Sequence, residues 1–168
     1  MKKTALVALT LATLLSSVLY AQRSSAPQLS KAAIDVHGTK LRLGMSKGEV
    51  TDKLTGNEIT KDDEDNWNIA SSGNLGPTLQ FTDGRLSYAD RYWTTYDNDI
   101  AEALFGAVNS LNQEGFSACT VTADTKTEPD TTAHRVWIRC GEKSILLVRD
   151  SIGEKSHNMV YEQLGAMR

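Results

Sequence analysis

Histidines are few in this chain, cysteines fewer, and the glycine patterns that carry chemistry are missing. Each scarcity removes a class of function. The three histidines, His37, His134 and His157, do not stand at His-Glu-x-x-His or any other paired ligand spacing, so no metal is expected. No Gly-x-Ser-x-Gly elbow and no phosphate-cradling glycine loop occurs, so no cofactor or serine nucleophile is expected either. The acidic run Lys61-Asp-Asp-Glu-Asp65 lacks the spacing and sixth-position glycine of a calcium loop and reads as a solvated connection. Positive charge is also modest, 18 Lys and Arg against 21 Asp and Glu. That balance argues against nucleic acid as the main partner.

What is present begins with a leader. Met1-Lys2-Lys3 precedes an apolar run from Thr4 to Leu15, and Ala21 offers a small residue for cleavage. This reads as a secretory signal peptide over 1–21, with cleavage after Ala26 as an alternative. Removing it takes away two lysines, leaving 16 basic residues against 21 acidic ones, a net charge near −5. No later stretch is apolar enough to span a membrane. No cysteine lies at the junction to accept a lipid. The expectation is a periplasmic or secreted protein that is not a lipoprotein. Residues 22–33 read as a flexible tether and 34–168 as the folded domain, with 34–95 and 96–168 as candidate sub-units.

The only two cysteines, Cys119 and Cys140, set the register of a hairpin. If they oppose each other, Val121 meets Ile138, Ala123 meets Val136 and Asp124 meets Arg135. One face then holds Cys119, Val121, Ala123, Val136, Ile138 and Cys140. The other holds Thr120, Thr122, Asp124, Arg135, Trp137 and Arg139. Two segments that alternate independently agree on one register, which predicts a disulfide clasp and an oxidising compartment.

Elsewhere the patterns are local. Ser46 and Glu49 form a capping box, with Met45 and Val50 as its hydrophobic staple, Leu54 one turn on and Gly56 as the left-handed stop. Asp83-Gly84 predicts a hairpin in which Phe81 opposes Leu86 and Leu79 opposes Tyr88. That register puts Arg91 and Trp93 on its polar face. Asp97-Asn-Asp99 supplies caps for a second helix whose stripe is Ile100, Ala103, Leu104, Ala107, Val108 and Leu111, ended by Gly115. Ser144–Arg149 is apolar on both faces, as a central strand would be. The run Val160–Leu164 reads as a closing strand or a terminal helical turn.

Residues 41–56, with Gly44, Met45, Ser46, Val50, Leu54 and Gly56 in matching places, resemble the opening of the SmpA/OmlA (BamE-like) family and of the related β-lactamase-inhibitor-protein-like domains. Trp67 and Phe81–Leu86 extend that similarity to about residue 90. The resemblance implies a bacterial envelope protein that works by protein contact, with a sheet as the binding face. The BamE-like proteins are lipoproteins, whereas this chain has no lipid-acceptor cysteine. The expected fold class is α+β: a short helix with an antiparallel meander, then a longer helix with the clasped meander, an order that a tandem of two family-like units would give.

The residues expected to carry function are Arg91, Trp93, Arg135, Trp137 and Arg139, types enriched in protein interfaces. The expected role is an exported, non-catalytic interaction module. Two alternatives compete with it. One is a small secreted hydrolase with Asp90 and Asp97 near Tyr92, Trp93 and Tyr96. The other is a small-ligand carrier, which would need a closed apolar pocket.

Overall fold

The computed structural model describes residues 29–62, 66–71, 76–93, 99–116, 118–153 and 155–165. The expected leader, most of the expected tether, the boundary between the candidate sub-units, Tyr96 and Asp97 lie outside them. The described end of the tether is packed: Ala32 and Ala33 are buried, and the Ser30 amide donates to the Leu43 carbonyl at 3.2 Å.

A small hairpin opens the fold. β1 (Ile34–Val36) and β2 (Thr39–Leu41) turn on His37 and Gly38, both at positive φ. The helix α1 (Lys47–Lys53) follows, and its capping box is complete: Ser46 accepts from the Glu49 amide and Glu49 accepts from the Ser46 amide. These contacts hold the Glu49 carboxyl below its ordinary range, the backbone hydrogen bond contributing most. Met45 and Val50, the staple, are both buried.

The main sheet comprises β3 (Ile59–Lys61), β4 (Trp67–Ile69), β5 (Thr78–Thr82), β6 (Arg85–Trp93), β7 (Thr120–Glu128), β8 (Thr131–Cys140), β9 (Lys143–Ile152) and β10 (Lys155–Gly165). Their spatial order is β3-β4-β5-β6-β10-β9-β8-β7. Every pair is antiparallel. The helix α2 (Ile100–Gln113), capped by the Asp99 side chain, lies between β6 and β7 in sequence.

This corrects the α+β expectation. Strand accounts for 54% of the described residues and helix for 17%, and the strands form one eight-stranded sheet beside a two-stranded one. The fold is mostly antiparallel β, not a tandem of helix-plus-meander units. Two physical reasons stand out. The capped helix α1 is only seven residues long. The closing segment is an eleven-residue strand that pairs with both β9 and β6, merging the two meanders into one sheet.

One face of that sheet is covered. Ile34, Val36, Leu41, Val50 and Leu54 pack with Trp67, Ile69, Leu79, Leu86 and Leu164 in a first core cluster. Ala103, Ala107 and Leu111 of α2 pack on Cys140, Ile145 and Val160 in a second, and Phe116 touches both.

The clasped hairpin has the register the cysteines predict. Val121 pairs with Ile138, Ala123 with Val136 and Asp124 with Arg135, and Cys119 is joined to Cys140 with Cα atoms 4.4 Å apart. The β5–β6 hairpin departs from its expected register. Phe81 opposes Leu86 as expected, but Gln80, not Leu79, opposes Tyr88, and Leu79 opposes Ala89. Ser87 is the extra residue of a β-bulge, its hydroxyl donating to the Gln80 carbonyl at 3.1 Å. One added residue reverses the facing of everything beyond it, because side chains alternate with period two.

Candidate functional site

The uncovered face of the sheet is built by alternation. β8 sends Val136, Ile138 and Cys140 toward the covered side and Arg135, Trp137 and Arg139 to the open one. Pairing carries those positions across the sheet in rows. Trp137 lies beside Leu146, Leu146 beside Tyr161, and Tyr161 beside Tyr92. The two tyrosine rings stand 5.6 Å apart at their centroids. The next row is polar: Arg139, Ser144, Gln163 and Asp90. It continues to Thr78 and Asn68.

Together these rows line a groove of about 1120 Å³ bounded by Arg135, Trp137, Arg139, Tyr161, Asp90 and Asn68, among others. Its floor is tied by hydrogen bonds. Ser144 donates to Gln163 Oε1 at 3.4 Å, Gln163 Nε2 donates to the Tyr88 hydroxyl at 3.0 Å, and that hydroxyl donates to Asp90 Oδ2 at 2.8 Å. The Thr78 amide donates to Asp90 Oδ1 at 2.8 Å. Burial pushes the Asp90 carboxyl above its ordinary range, against the lowering effect of the Thr78 and Tyr88 hydrogen bonds. Burial, with the Asp90 charge behind it, also raises the Tyr88 and Tyr161 phenols, which stay protonated at neutral pH.

Arg135, Arg139 and Trp137 line one side of the groove, and Glu142 lines it as well. The Arg139 guanidinium stacks 4.4 Å from the Trp137 ring centroid and donates to Thr122 Oγ1 at 2.8 Å. Among the described residues no carboxylate pairs with it. Arg135 is held by Asp124 at 2.6 Å. The Arg139 guanidinium is thus positioned on the indole and keeps its charge available to a visitor.

Arg91 and Trp93 do not join this group. The bulge at Ser87 turns them to the covered side, where Arg91 Nη2 lies 2.6 Å from Glu162 Oε2 and Trp93 Nε1 donates to the same oxygen at 2.9 Å. Glu162 Oε1 receives no well-angled hydrogen bond, but it lies 2.6 Å from Lys143 Nζ, so an ion pair meets its charge. Lys143 also reaches the Ala33 carbonyl at 2.8 Å and Glu114 at 2.6 Å. Glu162 is therefore the carboxylate that Trp93 touches, and it is fully buried and paired, whereas Asp90 faces the opposite side of the sheet.

The groove is partly open, and its lining mixes the polar row of Ser144, Gln163 and Asp90 with the apolar side chains of Leu43, Trp137 and Leu146. Among the described residues no three His, Cys, Asp or Glu side chains are arranged to hold a metal ion. No helix among them is long and apolar enough to cross a membrane. The disulfide is of the kind that persists in oxidising compartments outside the cytosol.

Sequence reasoning did not single out Leu146, Tyr161 or Gln163 as site residues. The signal was there in the alternation of β9 and β10, once β10 is known to lie between β9 and β6. Compared with protein-family models, with curated proteins and with solved structures, the chain matches none.

Proposed function

We propose that this chain is an exported, non-catalytic protein-binding module of the bacterial envelope, and that its partner docks on the open sheet face across the groove around Trp137. The observation that carries this reading is the asymmetry of the sheet. Both helices and the β1–β2 hairpin cover one side, while the other gathers Trp137, Tyr161, Arg135 and Arg139 around the groove. Eight strands spaced about 4.8 Å apart span roughly 34 Å, room for the ~800 Å² per partner of a standard interface. Trp, Tyr and Arg are the side chains that most often dominate binding energy there. The charged leader and the resemblance of residues 41–56 support the envelope assignment.

The partner's group at the rim should be anionic, because no carboxylate among the described residues pairs with Arg139, which sits in a stacked, preorganised pose. A photo-crosslinking amino acid at Tyr161, compared with one at Phe105 on the helix side, tests the reading in envelope extract. A discrete protein adduct from Tyr161 and none from Phe105 supports it. The reverse pattern overturns it.

A further inference from the structure

Among the described residues the outer strand β7 is a long free edge. All nine of its residues, Thr120–Glu128, are exposed, Val121 by 68%. Its pairing with β8 runs without a bulge from Thr120 to Glu128, and the strand contains no proline. The opposite edge, β3, is only three residues long. Natural sheets commonly protect their edges by shortness, bulges, proline or charged side chains; β7 has none of the first three, and its charges, Asp124, Lys126 and Glu128, admit only a strand of matching sign pattern.

The orientation of its free backbone groups follows from the clasp. Cα atoms 4.4 Å apart at Cys119–Cys140 mark a non-hydrogen-bonded pair. Bonded and non-bonded pairs alternate, so Thr120, Thr122, Asp124, Lys126 and Glu128 exchange hydrogen bonds with β8. Val121, Ala123, Thr125 and Thr127 therefore aim their N–H and C=O groups away from the sheet. Four successive residues on that side offer both a donor and an acceptor to an added strand.

We infer that β7 pairs antiparallel with β7 of a second copy of this chain, about a two-fold axis at Thr125. The charges select both the occupant and the register. Centring the axis on Asp124 would set two carboxylates directly opposite each other. Centring it on Ala123 would place Asp124 opposite Thr122. With the axis at Thr125, Asp124 lies across from Lys126 of the other copy, and symmetry makes that pair twice.

These are non-hydrogen-bonded pairs, in which opposed side chains come closest. Within each chain Arg135 lies 2.6 Å from Asp124, and Lys126 lies 2.7 Å from Glu128. The seam would then carry Arg135, Asp124, the second copy's Lys126 and its Glu128 in alternating sign. On the axis the two Thr125 residues exchange both backbone hydrogen bonds, and Ala123 does the same with Thr127 of the other copy. The two-fold stands perpendicular to the sheet, so both open faces point the same way. This inference does not depend on what binds the open face.

The experiment is the solution mass of the full oxidised chain, by light scattering and sedimentation over a concentration series. The wild type should reach the mass of two chains. Thr125→Pro removes an outward amide without touching a β7–β8 backbone hydrogen bond, losing only the exposed side-chain contact of Thr125 Oγ1 with His134 Nδ1, and should give single-chain mass with an unchanged circular dichroism spectrum. Lys126→Asp and Asp124→Lys should each be single chains, since each sets like charges across the seam. An equimolar mixture of these two variants should recover the mass of two chains as a heterodimer. A wild type that keeps single-chain mass at every soluble concentration, a Thr125→Pro variant that stays dimeric, or a mixture that stays single-chain would each overturn the inference.

Discussion

Gly106 illustrates how one missing side chain positions a large one. A Cβ built there would lie 2.6 Å from Cζ3 of Trp93, and the indole is held at its other end by the hydrogen bond to Glu162. Helix propensity alone would make Gly106→Ala more stable by about 1 kcal/mol. Overpacking typically costs about 1–3 kcal/mol and should win. Urea unfolding should therefore show a destabilised variant, and a stabilised one would contradict the seat assigned to Trp93. Asp90 gives a pH signature of known sign. Its folded-state pKa is raised, chiefly by burial. Its contribution is therefore fully present below the unfolded carboxylate pKa and is lost as pH rises through the folded value. Relative to Asp90→Asn, the wild type should gain stability as pH is lowered from about 7 toward 4. Unfolding curves across that range check this, and a wild-type advantage that shrinks with acidity would be the wrong sign.

At the scale of elements, the clasped hairpin was the most legible part of the chain. Val121, Ala123, Val136 and Ile138 alternate about the cysteines on both sides, and a period of two leaves a single register. The cap of α1 was equally legible, because Ser46 and Glu49 act within one turn. The facing of β6 was not. The bulge at Ser87 carries no glycine or proline to announce it, yet it moves Arg91 and Trp93 from the open side to the covered one. The clasp also allows a ranking of effects. A cross-link closing a loop of this length stabilises by about 3 kcal/mol in the chain-entropy view. The exposed Asp124–Arg135 pair contributes at most about 1 kcal/mol. Replacing both Cys119 and Cys140 by Ser should lower the urea midpoint far more than Asp124→Ala, and comparable midpoints would show that the clasp is not the dominant tie.

For the whole molecule, the unread fact was that β10 joins the two meanders. Lys155, His157 and Asn158 make the first half of that strand polar, so only Val160–Leu164 looked like strand, and nothing local says that β6 is its second neighbour. The join places Glu162 beneath Arg91 and Lys143, in a buried cluster that ties β6, β9 and β10 to Ala33 and to Glu114 at the end of α2. Removing one partner of a buried ion pair leaves its counter-charges uncompensated, at a cost of about 3–5 kcal/mol. Glu162→Ala should lose stability on that scale in urea unfolding, and a loss within error would mean that water reaches the cluster. The same join makes the open face continuous from Asn68 to Arg139, and that continuity underlies the proposed binding role. Its most direct measurement is a calorimetric titration of the protein crosslinked from Tyr161 with wild type, Trp137→Ala and Phe105→Ala. A central aromatic anchor is worth at least about 2 kcal/mol, roughly 30-fold in affinity. Trp137→Ala should weaken binding by that factor while Phe105→Ala leaves it unchanged; full affinity in Trp137→Ala, with binding lost in Phe105→Ala, would contradict the account.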